Sequence, residues 1–297
     1  MNVVISGSVR FRLIVSISDP LRKLLRHIHR GVWYKIRQNS FRRIRMAFIE
    51  NDYTKDAIFR NRVSIRQRRN GYRFSIDAIL LAWYVSELKG SKALELGTGS
   101  GVVSLGLSFQ RPELLIDAVE LQKSLVQLAR ANVRDNGLAN VHVIEHDLRE
   151  MAGERWRNAY DFVFSNPPYR SVGRGRLNPD QEKAIARHEL KTTLEEVLQC
   201  SCYCLKRGGS IALILMAERE NDAVKILKSI NFQVSQRTAV QPYPDKDANL
   251  ILLLAGEKGQ RILPEYSFFI WKEKGEYSDL VHSILSGSWN EIPHPLR

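Results

Sequence analysis

Cysteine is scarce: the 297 residues hold three, Cys200, Cys202 and Cys204, all in one short stretch. A metal site built on them would want further ligands or C-x-x-C pairs, and no histidine follows at finger spacing. The expectation is no metal, and three buried small apolar residues in a reducing, cytoplasmic compartment. Long apolar runs are missing too: no stretch approaches the ~20 residues that cross a bilayer, so no membrane partner is expected. Acid is missing from one end of the chain. Residues 1–74 carry 18 Lys/Arg against 4 Asp/Glu, while the remainder carries 27 against 28. The formal charge of +13 is therefore N-terminal, and a basic patch of that size implies a polyanion, nucleic acid ahead of a membrane surface.

Residues 1–45, with eleven Lys/Arg and the single acid Asp19, show no signal-peptide order of charge, apolar core and cleavage site, and no sustained period that would set them in a core. They read as a basic extension with three origins left open: an RNA-binding arm, an Arg-rich organelle presequence, or a stretch upstream of a start at Met46. Two phosphate-binding patterns are absent as well. No G-x-x-x-x-G-K-[ST] occurs, and G-x-G-x-x-G fails because Val102 stands where its last glycine or alanine would be.

What is present alternates strand and helix. Val63 and Ile65 alternate with polar residues, Asn70-Gly71 is a type I′ turn signal, and residues 72–74 would return as the second strand of a hairpin. Arg66, Arg68, Arg69 and Arg73 crowd that hairpin and are candidate phosphate contacts. Ser75 is placed to cap a helix over 76–88, with Asp77 in its first turn and an apolar stripe at Ala78, Leu81, Ala82 and Val85. A short buried strand at 93–96 runs into Gly97-Thr98-Gly99-Ser100-Gly101 and then an apolar helix, the order of a nucleotide-binding turn. The strand at 115–119 ends in Glu120, about twenty residues after the turn, where an acid can accept both hydroxyls of a ribose. A helix over 123–136 stopped by Gly137, a strand at 141–145 and the triplet His146-Asp147-Leu148 follow.

The next strand, around Phe162-Val163-Phe164, stops at Ser165-Asn166-Pro167-Pro168, because neither proline can donate to a ladder. Both prolines fix φ, and the residue before a proline is held extended, so the Asn166 amide and its neighbouring carbonyls point one way. An amide oxygen beside a backbone carbonyl gives two acceptors for the protons of a planar NH2, and Tyr169 offers a ring on which a base can stack. Asn166, Pro167 and Tyr169 are the candidate catalytic group. Residues 170–179 form a basic, glycine-broken loop in which Arg170, Arg174 and Arg176 are further candidate RNA contacts. A helix over 190–205, a strand at 210–216, a helix over 220–229 and an antiparallel pair at 232–240 and 249–255 complete the pattern. It implies one α/β domain over 46–287, doubly wound around a mostly parallel seven-stranded sheet, with the hairpin at 59–74, a core at 75–256 and a loose tail at 288–297.

A glycine turn followed by an acid also serves nicotinamide-dependent oxidoreductases, but such an enzyme would have no use for the Asn166 corner. An RNA-binding module without catalysis is a third reading, opposed by the intact Glu120, Asp147 and Asn166. E-L-G-T-G-S-G with its acid resembles motif I of class I S-adenosylmethionine-dependent methyltransferases, and Asn-Pro-Pro-Tyr resembles their motif IV. Y-R-F-S-I-D-A-I-L-L-A before the turn, S-N-P-P-Y-R after it and A-R-H-E at 186–189 resemble the bacterial tRNA (adenine-N6) methyltransferases that modify the adenosine beside the anticodon of a valine tRNA. The same corner serves methylases of release-factor glutamine and of guanine N2 in ribosomal RNA. The resemblance implies S-adenosylmethionine as cofactor, with Gly97, Thr98, Gly99 and Gly101 at its methionine end and Glu95 near its ammonium. It also implies Glu120 on the ribose, Asp147 on the adenine amine, Leu121 and Leu148 around the ring, and Asn166 at the methyl. Glu95 and Asp147 have a plainer reading as caps of the turns that follow them, and His188 reads as structural rather than as a base.

Overall fold

The computed structural model describes residues 53–69, 73–167 and 192–297. Residues 1–45, the Asn70-Gly71 turn, Tyr169, Arg170, Arg174, Arg176 and His188 lie outside the described residues.

The hairpin differs from the expected one. Strand β2 (Val63–Arg68) pairs with the strand before it, β1 (Tyr53–Ile58), and Arg73 and Phe74 stand in no strand. The turn between them runs through Phe59, Arg60 and Asn61 with φ of 54, 55 and 65°, left-handed values without a glycine. Burial supplies the reason. Phe59 is fully buried and stacks on Phe109 at 5.6 Å and edge-on to Trp289 at 5.3 Å. A cost of about 1–3 kcal/mol per strained residue is offset by an aromatic anchor of similar or larger worth.

Next come α1 (Ile76–Val85), β3 (Lys92–Leu96), α2 (Val102–Gln110), β4 (Leu115–Glu120), α3 (Lys123–Asp135), β5 (Val141–Glu145) and β6 (Tyr160–Ser165). After the gap stand α4 (Leu194–Cys204), β7 (Leu205–Met216), α5 (Glu220–Ser229), β8 (Phe232–Gln241), β9 (Leu250–Glu257), β10 (Tyr266–Phe269), β11 (Trp271–Glu273), β12 (Glu276–Tyr277) and α6 (Asp279–Ser286). α4 starts at Leu194 rather than 190 because Thr193 and Glu196 form a reciprocal capping box. Cys200 and Cys204 are buried on it and Cys202 is intermediate.

The sheet runs β10-β8-β9-β7-β6-β3-β4-β5, with β5, β4, β3, β6 and β7 parallel and β9 antiparallel to β7 and β8. It has eight strands, not seven. The extra one, β10, is a four-residue edge strand parallel to β8, too short to read from a period of two. Every side chain of α1 from Asp77 to Val85 is buried, so the expected stripe is the whole circumference. One face lies toward the sheet and the other is covered by the C-terminal segment, where Phe268 and His294 meet Trp83 edge-on at 5.7 and 4.7 Å.

Residues 288–297, expected to be loose, pack instead. Trp289 is 2 % exposed and donates Nε1–H to the Ile284 carbonyl at 2.8 Å. His294 is buried beside the Trp83 carbonyl at 3.0 Å and accepts on Nδ1 from Leu296, which leaves the proton on Nε2; burial pushes this imidazole down to about 4. Arg297 pairs with Glu87. Thr54–Arg297 is thus one compact unit, tail included.

Among the described residues no helix is long and apolar enough to cross a membrane, and no group of three or more His, Cys, Asp or Glu is arranged to hold a metal ion.

Candidate active site at the carboxyl ends of the central strands

Register brings the candidate residues into one row. Leu96 is level with Val119 of β4 and with Ser165 of β6, and Glu120 is level with Glu145 of β5. The chain therefore leaves the sheet at Gly97, Leu121, His146 and Asn166 side by side, along the edge where open parallel sheets take their ligands.

The glycine turn is built by the ladder that precedes it. Gly97 and Thr98 both donate to the Val119 carbonyl, at 2.9 and 3.0 Å, and Gly101 closes back on the Thr98 carbonyl at 2.9 Å. Gly97, Gly99 and Gly101 have φ of 76, 59 and 88°, the left-handed region that side chains rarely adopt. A Cβ at Gly97 or Gly99 would meet nothing within 4 Å, whereas one at Gly101 would strike Leu105 Cδ1 at 2.8 Å. The first two glycines face open space suited to a ligand; the third is required by the packing of α2.

Glu95 is 1 % exposed and accepts from the Thr98 hydroxyl at 2.7 Å and from the Ser104 hydroxyl, tying the strand to both sides of the turn. Burial pushes its carboxyl up to about 7, against those two hydrogen bonds and with the Glu120 charge adding to the rise. The carboxylate of Glu120, also buried, accepts the Gly99 and Gln122 amides at 2.9 Å each and so lies across the turn. Leu148 is buried and Leu121 half-buried. Asp147 caps the short 3-10 turn Leu148–Glu150 through the Arg149 amide at 3.0 Å. The Arg149 guanidinium beside it holds its carboxyl below the usual carboxylate range.

At the corner, the Ser165 hydroxyl donates to the Leu96 carbonyl at 2.7 Å, which fastens the exit of β6 to the start of the glycine turn. Pro167 is buried and Asn166 half-buried. Burial raises the carboxyl of Asp77, in the first turn of α1, and the neighbouring Asn166 side chain opposes that rise. That neighbour, 89 residues away in sequence, escapes sequence reasoning, which gives Asp77 only the role of a helix-start acid. Asn132 escapes it too. Fully buried on α3, it exchanges hydrogen bonds with both backbone groups of Arg66 and donates to the Ser100 carbonyl at 2.9 Å, so the hairpin, α3 and the glycine turn share one amide. An asparagine pair at 132 and 136, one helical turn apart and facing the edge strand β2, was the available signal.

The candidate RNA contacts divide. Arg66 is paired with Asp135 at 2.6 Å, and Arg73 with Asp56 at 2.8 Å and Thr54 at 2.7 Å, so the hairpin arginines also serve to hold the hairpin. Arg69 is exposed and Arg68 half-buried.

Comparison with known proteins gives the same region an ancestry. The model of the methyltransferase small domain family matches residues 75–241. A protein of Tolumonas auensis named tRNA1(Val) (adenine(37)-N6)-methyltransferase is 30 % identical over 196 residues, which cover 65 % of this chain and 80 % of that one. A protein of the same name from Erwinia tasmaniensis is 30 % identical over 202 residues, covering 67 % and 81 %. Among solved structures, a protein described as a predicted O-methyltransferase, from Agrobacterium tumefaciens, aligns with a TM-score of 0.58 at 21 % identity over 71 % of this chain and 96 % of its own. At that identity the likeness concerns the fold.

Proposed function

Since the chain belongs to the methyltransferase small domain family and is an S-adenosylmethionine-dependent methyltransferase, we propose that it methylates the exocyclic N6 amine of an adenosine in RNA, namely tRNA beside the anticodon. A nicotinamide-dependent oxidoreductase is set aside with that membership. The observation that supports the reading is the Asn166-Pro167 corner, fastened by Ser165 to the strand that opens the glycine turn, so that Asn166 leaves the sheet beside that turn. The names of the relatives support the choice of acceptor. On this reading the protein works in the cytoplasm.

The open space over Gly97 and Gly99, with a buried carboxylate lying across it, suits a ligand with a charged end and vicinal hydroxyls. When bound, S-adenosylmethionine supplies a methyl group on a positively charged sulfur, open to displacement. The amides of Gly97, Thr98, Gly99 and Gly101 would hold its methionine end, Glu95 would face its ammonium and Glu120 would exchange its backbone partners for the ribose hydroxyls. Asp147 would take the adenine amine, with Leu121 and Leu148 against the ring. Asn166 Oδ1 and the neighbouring backbone carbonyl would accept the two protons of the substrate amine, which draws its lone pair out of conjugation and toward the methyl. No strong base is needed, because alkylation itself makes the N–H acidic; Tyr169 would stack on the base. A base in folded RNA must first be unstacked or already lie in a loop. Arg66, Arg68, Arg69, Arg73, Arg170, Arg174 and Arg176 would meet phosphates, and loss of each such contact is expected to flatten the log–log salt dependence by up to about one unit.

Methylation of total tRNA and of ribosomal RNA, read by nucleoside mass spectrometry, tests the proposal. N6-methyladenosine appearing in a valine tRNA is the expected product. N2-methylguanosine in ribosomal RNA, or a methylated protein glutamine, would overturn it.

Two further outcomes concern the cofactor. Glu120→Ala is expected to weaken S-adenosylmethionine by about 1.5–3 kcal/mol, the range for hydrogen bonds to a charged group; calorimetry showing unchanged affinity removes Glu120 from the site. The Glu95 carboxyl, raised to about 7 in the free protein, should be drawn down by an adjacent ammonium and release its proton on binding. The free protein holds that proton below this value, so affinity should rise as the pH climbs toward it and level off above. Titrations in two buffers of different ionisation enthalpy measure the release; none at all would detach Glu95 from the ammonium.

A further inference from the structure

A strand needs partners for its backbone groups, and β2 finds two of them on a helix. β1 and β2 form a sheet of their own, and at Ser64 and Arg66 side chains of α3 stand in for a further strand. Asn136, at the C-cap of α3, exchanges hydrogen bonds with both backbone groups of Ser64 at 2.8 and 2.7 Å. One helical turn earlier, Asn132 does the same for Arg66 at 2.8 and 3.1 Å. The two amides differ in what remains. The Asn136 NH2 gives its other bond to the Asn132 backbone carbonyl at 2.7 Å, inside the helix, whereas that of Asn132 leaves the helix and donates to the Ser100 carbonyl at 2.9 Å. With an N–H facing its oxygen and two carbonyls facing its nitrogen, the fully buried Asn132 amide has one orientation.

We propose that Asn132 is a positioning residue of the cofactor site, holding the Ser100–Gly101 peptide so that the glycine turn is shaped before S-adenosylmethionine arrives, and that through it the basic hairpin is part of that site. The inference rests on the reading of the glycine turn as the seat of the cofactor. Ser100 stands between Gly99 and Gly101, whose φ of 59 and 88° are left-handed, and glycine on either side gives the peptide planes between them little resistance to rotation. The Ser100–Gly101 peptide is nevertheless held at both ends, its carbonyl by Asn132 and its N–H by the Thr98 carbonyl at 2.9 Å. Without the Asn132 donor the Ser100 carbonyl loses its partner and the peptide turns to find water. The free protein then spreads over several shapes of the turn, and the observed affinity falls with the fraction that keeps the competent one. The hairpin enters because the backbone of Arg66 takes the other two bonds of the amide while its guanidinium pairs with Asp135, on the same helix, at 2.6 Å. Whatever seats β2 on α3 therefore also sets the direction in which Asn132 meets the turn.

The rival account gives Asn132 only the task of docking the hairpin. Asn136 supplies the control, since its side chain docks the same strand and its hydrogen bonds go to Ser64 and Asn132, not to the turn. Asn132→Ala is expected to raise Kd and KM for S-adenosylmethionine about 5- to 50-fold, the span open to the loss of one hydrogen bond to a buried partner. Its kcat at saturating cofactor should stay within about threefold, because bound cofactor restores the shape of the turn. Asn136→Ala should lower Tm as well, yet leave Kd for S-adenosylmethionine within about twofold. Asn132→Ser leaves room for a water to bridge part of the gap and is the variant read should the alanine protein fail to fold; a loss of about threefold or more is expected. A second readout needs no ligand. Thr98-Gly99 is the sole Thr-Gly step in the sequence, so protein labelled with 13C-carbonyl threonine and 15N-glycine gives one filtered signal, the Gly99 amide. It should shift in Asn132→Ala or Asn132→Ser and stay in place in Asn136→Ala. Folded Asn132 variants with wild-type cofactor affinity, an equal weakening by Asn136→Ala, or an unmoved Gly99 signal would each overturn the proposal. Should S-adenosylmethionine bind the wild-type protein without moving the Gly99 signal, the reading of the turn as its seat fails, while the shift between variants still decides whether Asn132 shapes the turn.

Discussion

Asn166→Ala is expected to lower kcat by about 10²–10³-fold, the loss typical of removing one preorganised polar group from a transition-state site. Cofactor affinity should change by less than about twofold, because the amide acts mainly on the amine undergoing transfer. The physical basis is the weakness of the nucleophile. An amine conjugated to a purine shares its lone pair with the ring, and attack requires that pair to be localised. Two acceptors on its protons favour the pyramidal nitrogen, and they help only if they are already in place when the methyl moves. The backbone of Asn166 is in place: Pro167 holds it extended, and the Ser165 hydroxyl fixes the preceding residue to the Leu96 carbonyl. Single-turnover methylation at saturating cofactor measures the step directly. A variant that keeps most of the wild-type rate would mean that the corner only shapes the chain.

The parts of this site that read directly from sequence are those whose signal fits within about ten residues. β3, the glycine turn and α2 are one such unit, since a short apolar strand followed by alternating glycines has few other conformations. Glu120 at the end of β4, the limits of β5 and the exit of β6 at Asn166 belong to the same class. What did not read from sequence depends on partners far along the chain. The hairpin strand pairs with 53–58, and Arg73 and Phe74 stand in no strand, because Phe59 has a buried place against Phe109 and Trp289, and nothing near Phe59 in sequence announces it. Two hairpin arginines that look free as a local charge run have carboxylate partners, one of them on α3. Asp77 reads as a helix-start acid until the fold brings α1 to the mouth of β6. The failure follows a rule: contacts within one βα unit are written locally, and those that lock one unit to another are not.

The last residues test that rule by stability rather than by rate. Trp289→Ala is expected to destabilise the protein by about 3–5 kcal/mol, the usual cost of removing a large aromatic from a packed interior. The side chain is 2 % exposed, sits edge-on against Phe59 at 5.3 Å, and its Nε1–H satisfies the Ile284 carbonyl near the end of α6. Alanine would leave a cavity beneath the left-handed turn at 59–61, so the hairpin should loosen together with the tail. For a unit of this size each kcal/mol moves Tm by roughly 2–4 °C, and the expected drop is therefore about 6–20 °C. Cofactor affinity below the transition should be unchanged, because Trp289 lies with Phe59 and α6, away from the carboxyl ends of β3 and β4. Thermal unfolding with and without S-adenosylmethionine reads both quantities at once: ligand should raise Tm by similar increments in the two proteins even though the variant starts lower. A Tm within about one degree of wild type would mean that residues 288–297 contribute nothing to the fold, since such a shift corresponds to well under 1 kcal/mol.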